Sequence, residues 1–277
     1  MPAIGAGHAW GHYKPRGLAA VAIGLTRHRV VRGALRRVVG DAVSGIQPYF
    51  DVEIEGLKMR CMTLDNYTEW GLVFTGARQD RSGRDAILSE LTPGDIFVDV
   101  GANCGTYSLF AARRVGAEGR VVAIEPMPEM IARLRFNVRA NSFTNIEIFE
   151  TAVGPQDGSA TLFVDEERRG HSSLADEIAR DGAIRTTVPV TTLHAVVTQA
   201  RIERIDALKI DIEGYEDRAL VPYIATAPRN LWPRRLFMET TWQAHWETDC
   251  IAQLQEAGYR IAWQGRGDAL LELPRAV

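Results

Sequence analysis

The sequence predicts an α/β protein built on a doubly wound, mostly parallel sheet that closes with an antiparallel hairpin. Three observations carry this expectation. Helices and strands alternate in a βαβαβ series from about residue 83 onward, and the first buried strand runs into a glycine-bearing turn that opens a helix. Near the end, two short apolar strands flank Gly265-Arg266-Gly267. Parallel strands joined by helical crossovers wind right-handed and gather ligands at the carboxyl ends of their strands.

The elements follow in order. Residues 17–39 place Leu18, Val21, Ala22, Leu25, Val31, Leu35, Val38 and Val39 at helical spacing among arginines, although Gly24 and Gly33 weaken a helix. Residues 40–48 read as a linker. Residues 49–54 and 57–64 alternate as two strands joined at Glu55-Gly56, a hairpin signal. A helix over 83–91 stops at Thr92-Pro93-Gly94, and the apolar run 96–100 has the length and composition of a buried parallel strand. A helix over 106–115, a strand over 120–124, a helix over 128–141 and a strand over 146–149 complete the first series. A less regular insert holds extended runs at 159–164 and 186–191 around the polar stretch 165–182. Alternation resumes with a strand over 207–212, a helix over 216–224, a strand over 235–239, a helix over 248–257 and the closing hairpin 259–263 and 269–273. The chain thus divides into an N-terminal arm (1–45), a small β element (46–82) and a main α/β domain (83–277).

Composition bounds the function. The 277 residues are 46% apolar and 24% charged, which suits a globular protein and excludes disordered or collagen-like chains. The net charge of −3 conceals a split. Residues 1–40 hold seven basic residues (Lys14, Arg16, Arg27, Arg29, Arg32, Arg36, Arg37) and no acidic one, leaving 25 of the 32 basic residues against all 35 acidic ones in the remainder. A basic arm on an acidic body points to contact of the arm with an anionic membrane surface, a carrier or a partner subunit, with a solvated extension as the plain alternative. The acidic body gives no reason to expect nucleic acid. Cys61, Cys104 and Cys250 are odd in number and far apart, so neither a disulfide framework nor a zinc site is expected, and a reducing cytoplasm fits. The apolar run 18–25 is too short to span a bilayer, and no signal peptide is expected.

The stretch Val98-Asp99-Val100-Gly101-Ala102-Asn103-Cys104-Gly105-Thr106-Tyr107-Ser108 is a strand, a turn and a helix start. Gly101 permits the turn, Gly105 allows close approach, and the helix start offers free N–H groups. A dinucleotide-binding loop would carry glycine where Asn103 and Thr106 stand. Asp99 would oppose a diphosphate and favour a cationic ligand. Asn103 and Ser108 also have a simpler reading as helix-start residues. Glu125 ends the second strand, where an acidic side chain can accept ribose hydroxyls. The site therefore expects a nucleoside without phosphates, and S-adenosylmethionine (SAM) fits.

The second stretch is Leu208-Lys209-Ile210-Asp211-Ile212-Glu213-Gly214-Tyr215-Glu216. Extended, it would put Lys209, Asp211 and Glu213 on one face, and such charges on a buried strand need partners or a cleft. The simpler reading is an internal Lys209–Asp211 or Lys209–Glu213 ion pair. The catalytic reading lets Asp211 or Glu213 orient the acceptor hydroxyl and take its proton, with Glu239 joining from the next strand. The same carboxylates could instead hold Mg²⁺. His171 and His245 are further candidate bases.

The combination V-D-V-G-A-N-C-G-T-Y-S at 98–108, I-E-P at 124–126 and L-K-I-D-I-E-G-Y-E at 208–216 resembles the FkbM-type SAM-dependent methyltransferases, over about residues 85–263. The resemblance implies a class I methyltransferase (Rossmann-like) fold with seven strands, the last antiparallel, and methyl transfer, usually to a hydroxyl oxygen of a natural product or a sugar of a glycan. It implies cofactor contacts at Asp99, Gly101, Asn103, Gly105, Ser108, Glu125, Ala152 and Val153. Pro126 and Asp211 join the expected cofactor set, and Asp211, Glu213, Lys209, Glu239 and His171 are the catalytic candidates. Residues 170–174 look like the family's serine-bearing segment near the substrate. The small-molecule or glycan acceptor is left open, as is homo-oligomer formation. Rival readings are an N-methyltransferase on a small molecule or peptide, a nicotinamide-dependent dehydrogenase, and a non-catalytic scaffold with the same fold.

Overall fold

In the computed structural model, described over residues 7–165, 172–175 and 183–274, the chain begins with two helices, α1 (Gly17–Arg27) and α2 (Gly33–Ile46). A hairpin of β1 (Tyr49–Ile54) and β2 (Leu57–Met62) follows, then α3 (Tyr67–Phe74) and α4 (Arg81–Leu88). The first half of the main domain runs β3 (Ile96–Val100), α5 (Thr106–Val115), β4 (Arg120–Ile124), α6 (Pro128–Ala140) and β5 (Ile146–Phe149). The insert holds β6 (Ala152–Val153), β7 (Gly158–Val164) and β8 (Ile184–Thr191), followed by α7 (Leu193–Gln199). The second half runs β9 (Ala207–Ile210), α8 (Glu216–Thr226), β10 (Arg235–Glu239), α9 (Cys250–Glu256), β11 (Arg260–Gln264) and β12 (Asp268–Glu272).

Seven strands form the central sheet in the order β11-β12-β10-β9-β3-β4-β5. Strands β10, β9, β3, β4 and β5 run parallel, and β12 lies antiparallel to both β10 and β11. This is the class I methyltransferase fold. Side-chain alternation makes it two-sided. Phe97, Val121, Ala123 and Phe237 pack on the face covered by α5 and α6, while Val98, Val100, Val122, Leu208, Ile210 and Met238 pack on the face covered by α7, α8 and α9. Strand order reverses between β3 and β9, and a crevice opens at their carboxyl ends.

Upstream of the sheet the structure departs from the sequence expectation. Residues 17–39 form not one weak helix but two, broken by Arg29 in the left-handed region (φ 62°), and most of the expected linker belongs to α2. The Glu55-Gly56 turn has positive φ at both residues (49° and 83°), as a tight two-residue hairpin requires. Its strands do not form a separate unit. Phe50, Ile54, Leu57, Met59 and Cys61 are buried in the same core as Phe97 and Leu134.

Polar contacts fasten this junction. Arg60, 2% exposed, makes a bidentate pair with Asp51 (2.7 and 2.9 Å) and donates to the carbonyls of His8 and Ala9. Asp51 in turn accepts from the N–H groups of Gly11 and Tyr13 at 2.7 and 3.0 Å. The N-terminal segment is thus folded onto the body. Arg133 of α6 pairs with Glu69 of α3 and with Asp65, and these acids hold its charge firmly against the cost of burial. All three cysteines are buried free thiols.

Asp51→Ala would leave the Arg60 guanidinium buried without its counter-ion, a change that typically costs about 3–5 kcal/mol. Urea denaturation should show a loss of that order, and a loss below about 1 kcal/mol would remove this pair as the fastening.

Candidate active site

The turn after β3 is shaped by steric limits. Gly101 has φ 76°, and a Cβ there would lie 2.0 Å from the Asp211 carbonyl oxygen, so only glycine lets the β3 and β9 exits meet. The N–H groups of Gly101 and Ala102 both donate to Ile124 at 3.0 Å. Asn103 is left-handed (φ 52°), a conformation its short polar side chain tolerates. Its Oδ1 accepts from the Cys104 N–H (2.7 Å) and from Asn66 Nδ2 (2.8 Å). Asn66 caps α3, so the loop is tied to the upstream segment.

Glu125 sits beside this loop. Its two oxygens accept from the Asn103 and Met127 N–H groups at 2.8 and 2.9 Å. Burial pushes its pKa up to about 7, against the pull of those two N–H donors. A carboxylate has about four acceptor positions, so capacity for ligand hydroxyls remains.

β9 ends at Ile210, two residues earlier than expected, and Glu213 turns left-handed at φ 54°. The extended segment that would align Lys209, Asp211 and Glu213 therefore does not form. The turn still brings Asp211, Glu213 and Glu239 together, with one carboxylate oxygen of each within 4.8 Å of the others. Glu216 builds this turn: it accepts from the Ile212 and Gly214 N–H groups (2.9 and 3.2 Å) and from Trp246 Nε1 (3.0 Å). Glu213 accepts from Trp242 Nε1 at 2.8 Å, and its carbonyl accepts from Ser173 Oγ at 2.6 Å. Glu239 Oε2 is buried without a hydrogen-bond partner, and burial beside Asp211 and Glu213 pushes its pKa up to about 11.

Lys209 reaches across from β9. Its ammonium donates to the Gly101 carbonyl at 2.8 Å and lies 3.5 Å from Asp211 and 3.6 Å from Asp99. Burial alone would discharge it, but Asp211, Asp99, Glu125 and Asp80 outweigh that and raise its pKa.

These groups line a cavity of about 470 Å³, within the roughly 300–1,000 Å³ usual for small-molecule sites. One wall is apolar, from Ile124, Pro126, Met130, Ala152, Val153, Leu162 and Leu174. Among the described residues the lining includes six carboxylates (Asp80, Glu125, Asp211, Glu213, Glu239, Asp268) and a single basic side chain, Lys209. Burial and mutual repulsion also raise Asp80, and they bring Asp268 to about 6. Such a cavity repels a diphosphate and favours a cation.

Several expected contacts lie elsewhere. Asp99 does not line the cavity: alternation in β3 turns its side chain toward α5, where Ser108 Oγ donates to it at 2.6 Å. Ser108 is likewise buried behind the wall and Gly105 is absent from the lining. Gly105 (φ 94°) instead lets α5 start against Leu134, where a Cβ would come within 2.4 Å. Lys209 touches the cavity, but its hydrogen bonds are to loop carbonyls, which makes it a positioning residue more than a catalytic one. His171 lies outside the described residues, and His245 is exposed beyond the cavity. Gly101, Asn103, Glu125, Pro126, Ala152, Val153, Asp211, Glu213 and Glu239 do line it. Sequence reading missed Tyr67, Thr68, Gln79 and Asp80 from the upstream segment, Tyr107 from α5, Thr241 after β10, and Gly267 and Asp268 at the turn into β12.

The family model of the methyltransferase FkbM domain matches residues 99–261, more than half of the chain. The chain belongs to the FkbM methyltransferase family. Similar proteins include an arsenite methyltransferase of Halobacterium salinarum, 34% identical over 65 residues that make up 24% of this chain and 17% of that protein. Methyltransferase sdnD of Sordaria araneosa is 25% identical over 157 residues, 47% of this chain and 60% of that one. This FkbM-family chain therefore spans less than two thirds of either relative. Among solved structures, a SAM-dependent O-methyltransferase from Thermotoga maritima aligns over 71% of this chain and 66% of its own, with 15% identity and a TM-score of 0.43.

Lys209→Met would keep the length of the side chain and remove the charge shared by Asp99 and Asp211. Because Asp99 is fully buried, we expect a loss of about 3 kcal/mol or more in urea denaturation. An unchanged midpoint would show that the ammonium does not hold the two loops together.

Proposed function

We propose that the protein is a SAM-dependent O-methyltransferase acting on a hydroxyl of a small molecule, a natural product or a glycan sugar. The observation that carries this reading is the six-carboxylate lining around one lysine. It suits a ligand with ammonium and sulfonium charges and disfavours a nicotinamide dinucleotide. When bound, SAM supplies an electrophilic methyl group.

The residues present fit that cofactor. Glu125 would hold the ribose hydroxyls on the acceptor positions that Asn103 and Met127 leave open. Ile124, Pro126, Met130, Ala152 and Val153 would enclose the adenine. The unpartnered Glu239 Oε2 and the half-exposed Asp211 carboxylate face the same cavity.

Asp211 is the group placed to take the acceptor's hydroxyl proton. It is more open than Glu213, which already accepts from Trp242 and is 7% exposed. Glu239, held protonated, can donate a hydrogen bond to the acceptor oxygen or to Asp211. A carboxylate is a weak base for an alcohol, so most of the acceleration comes from alignment, with proton removal adding roughly 10²–10⁴-fold. An acceptor amine would fit the same cluster, and labelled-methyl transfer followed by mass spectrometry distinguishes the two atom types.

The triad could alternatively hold Mg²⁺, since its three carboxylate oxygens lie within 4.8 Å of one another. Activity lost in EDTA and restored by Mg²⁺ would favour the ion. Activity indifferent to EDTA would leave the protonated Glu239 beside Asp211 as the account.

Two further outcomes are expected. Glu125 must be ionised to accept two hydroxyls, and its pKa is raised to about 7, so SAM affinity should fall as pH drops from 8 to 6. Calorimetric titration of Glu125→Gln should show weaker binding at pH 8 and a flattened pH profile. Asp211→Asn should keep SAM binding within a few-fold and lower turnover by roughly 10²-fold or more. Full turnover in this variant would remove Asp211 from proton transfer.

A further inference from the structure

The first two helices are packed the wrong way round for a soluble body. On α1, Leu18, Val21 and Leu25 recur at i, i+3 and i+7, and on α2, Leu35, Val38, Ala42 and Ile46 recur at i, i+3, i+7 and i+11. This spacing defines one stripe per helix, normally the stripe that faces a core. Here both stripes face solvent, with Leu18 and Ile46 each 88% exposed and Val38 65%. The packed sides are Ile23 and Thr26 on α1, and Gly40 and Ser44 on α2. Gly40 lies so close to Trp70 that a Cβ would approach its ring to 2.4 Å, which fixes the orientation of α2. The exposed Val30 stands in the link between the two helices.

Exposed basic side chains surround the helices, and two of them, Arg29 and Arg32, stand with Val30 in the link beside the apolar stripes. Arg16, Arg29, Arg32 and Arg37 are exposed, and Asp41, 3.9 Å from Arg37, is the one acidic residue between Gly7 and Phe50. Exposed apolar stripes on a basic segment, with arginines at the link between them, are the composition of a segment that lies in a lipid interface.

We propose that the α1–α2 face docks on an anionic lipid bilayer, with the apolar stripes entering the headgroup boundary and the arginines meeting lipid phosphates. Charge selects this occupant. A two-fold pairing of the face with a second copy would bring two strongly basic segments, with Arg29 and Arg32 at the contact, against each other, whereas an anionic surface complements them. The groove on the other side of α2, lined by Ala34, Arg36, Arg37 and Trp70, shares Tyr67 with the large cavity, so the proposed docking element borders the site.

The test is co-sedimentation of the full chain with phosphatidylcholine vesicles, with and without about one third phosphatidylglycerol. Binding is expected only with the anionic lipid, weakening as salt rises because the surface potential is screened within about 10 Å at 0.1 M. Replacing Arg29 and Arg32 together by Gln should lower partitioning roughly 30-fold, and Leu35→Ser with Val38→Ser should lower it at unchanged charge. Both sets alter exposed side chains, and an unchanged melting curve verifies folding. No binding by the wild type at low salt, or binding that neither set weakens, overturns the proposal. So does a concentration-dependent dimer that the Leu35 and Val38 replacements dissolve.

Discussion

The buried ammonium of Lys209 is the constraint on which the site depends. It comes from β9, donates to the carbonyl after β3, and stands between the buried Asp99 and the half-exposed Asp211 of the cavity lining. Without it, two strand ends carrying acids would meet at the switch point of the sheet with nothing between them but repulsion. Burying such a charge is costly, and its near neighbours repay the cost only because the geometry is tight. The Gly101 backbone completes the fit, since the Asp211 carbonyl occupies the space a side chain would need. Loop shape and charge placement are therefore one problem with one solution.

The carboxylates gathered by this arrangement are individually uncomfortable. Glu125, Glu239 and Asp268 all hold protons more tightly than in water, because burial removes solvent and neighbouring acids repel ionisation. That discomfort is a reservoir for binding, since a cationic ligand lets Glu125 and Asp268 ionise. The upstream segment contributes to it through Asp80, which accepts a hydrogen bond from the Tyr107 hydroxyl at the cavity edge. Its placement rests on the Arg133–Glu69 pair, which anchors α3 against α6, and on the Arg60 N–H, which donates to Asn137 Oδ1 at 2.7 Å and holds the hairpin on the same helix.

Much of the sheet was legible because alternation is a local property. Runs such as 96–100 and 120–124 announced buried strands, and Glu55-Gly56 announced its turn. The site was legible only where the signal lay in the turns themselves: Gly101, Asn103, Glu125 and Asp211 all reach the cavity. Asp99 was misplaced for a definite reason. A strand's period assigns residues to two faces, but the cavity lies beyond the strand ends, so a carboxylate one residue before the turn can point into a helix. Glu213 reaches the cluster by a left-handed turn, not by the extended spacing expected of it. Tyr67 and Asp80 were invisible because their positions depend on ion pairs such as Arg133–Glu69, formed between residues far apart in the chain. Glu216 could have been found, since an acid at the first position of a helix after Gly-Tyr is well placed to accept from the preceding N–H groups.

The cavity wall supplied from outside residues 99–261 has a consequence for modularity. Tyr67, Asp80 and Asp268 lie beyond the matched block, yet they border the same space as Asn103 and Asp211. Transplanting that block into a relative would therefore carry the loop and the acidic turn but exchange the chemistry of the mouth. In this architecture the interchangeable unit for altering what enters the site is the flanking segment, and the matched block is the chassis that receives it.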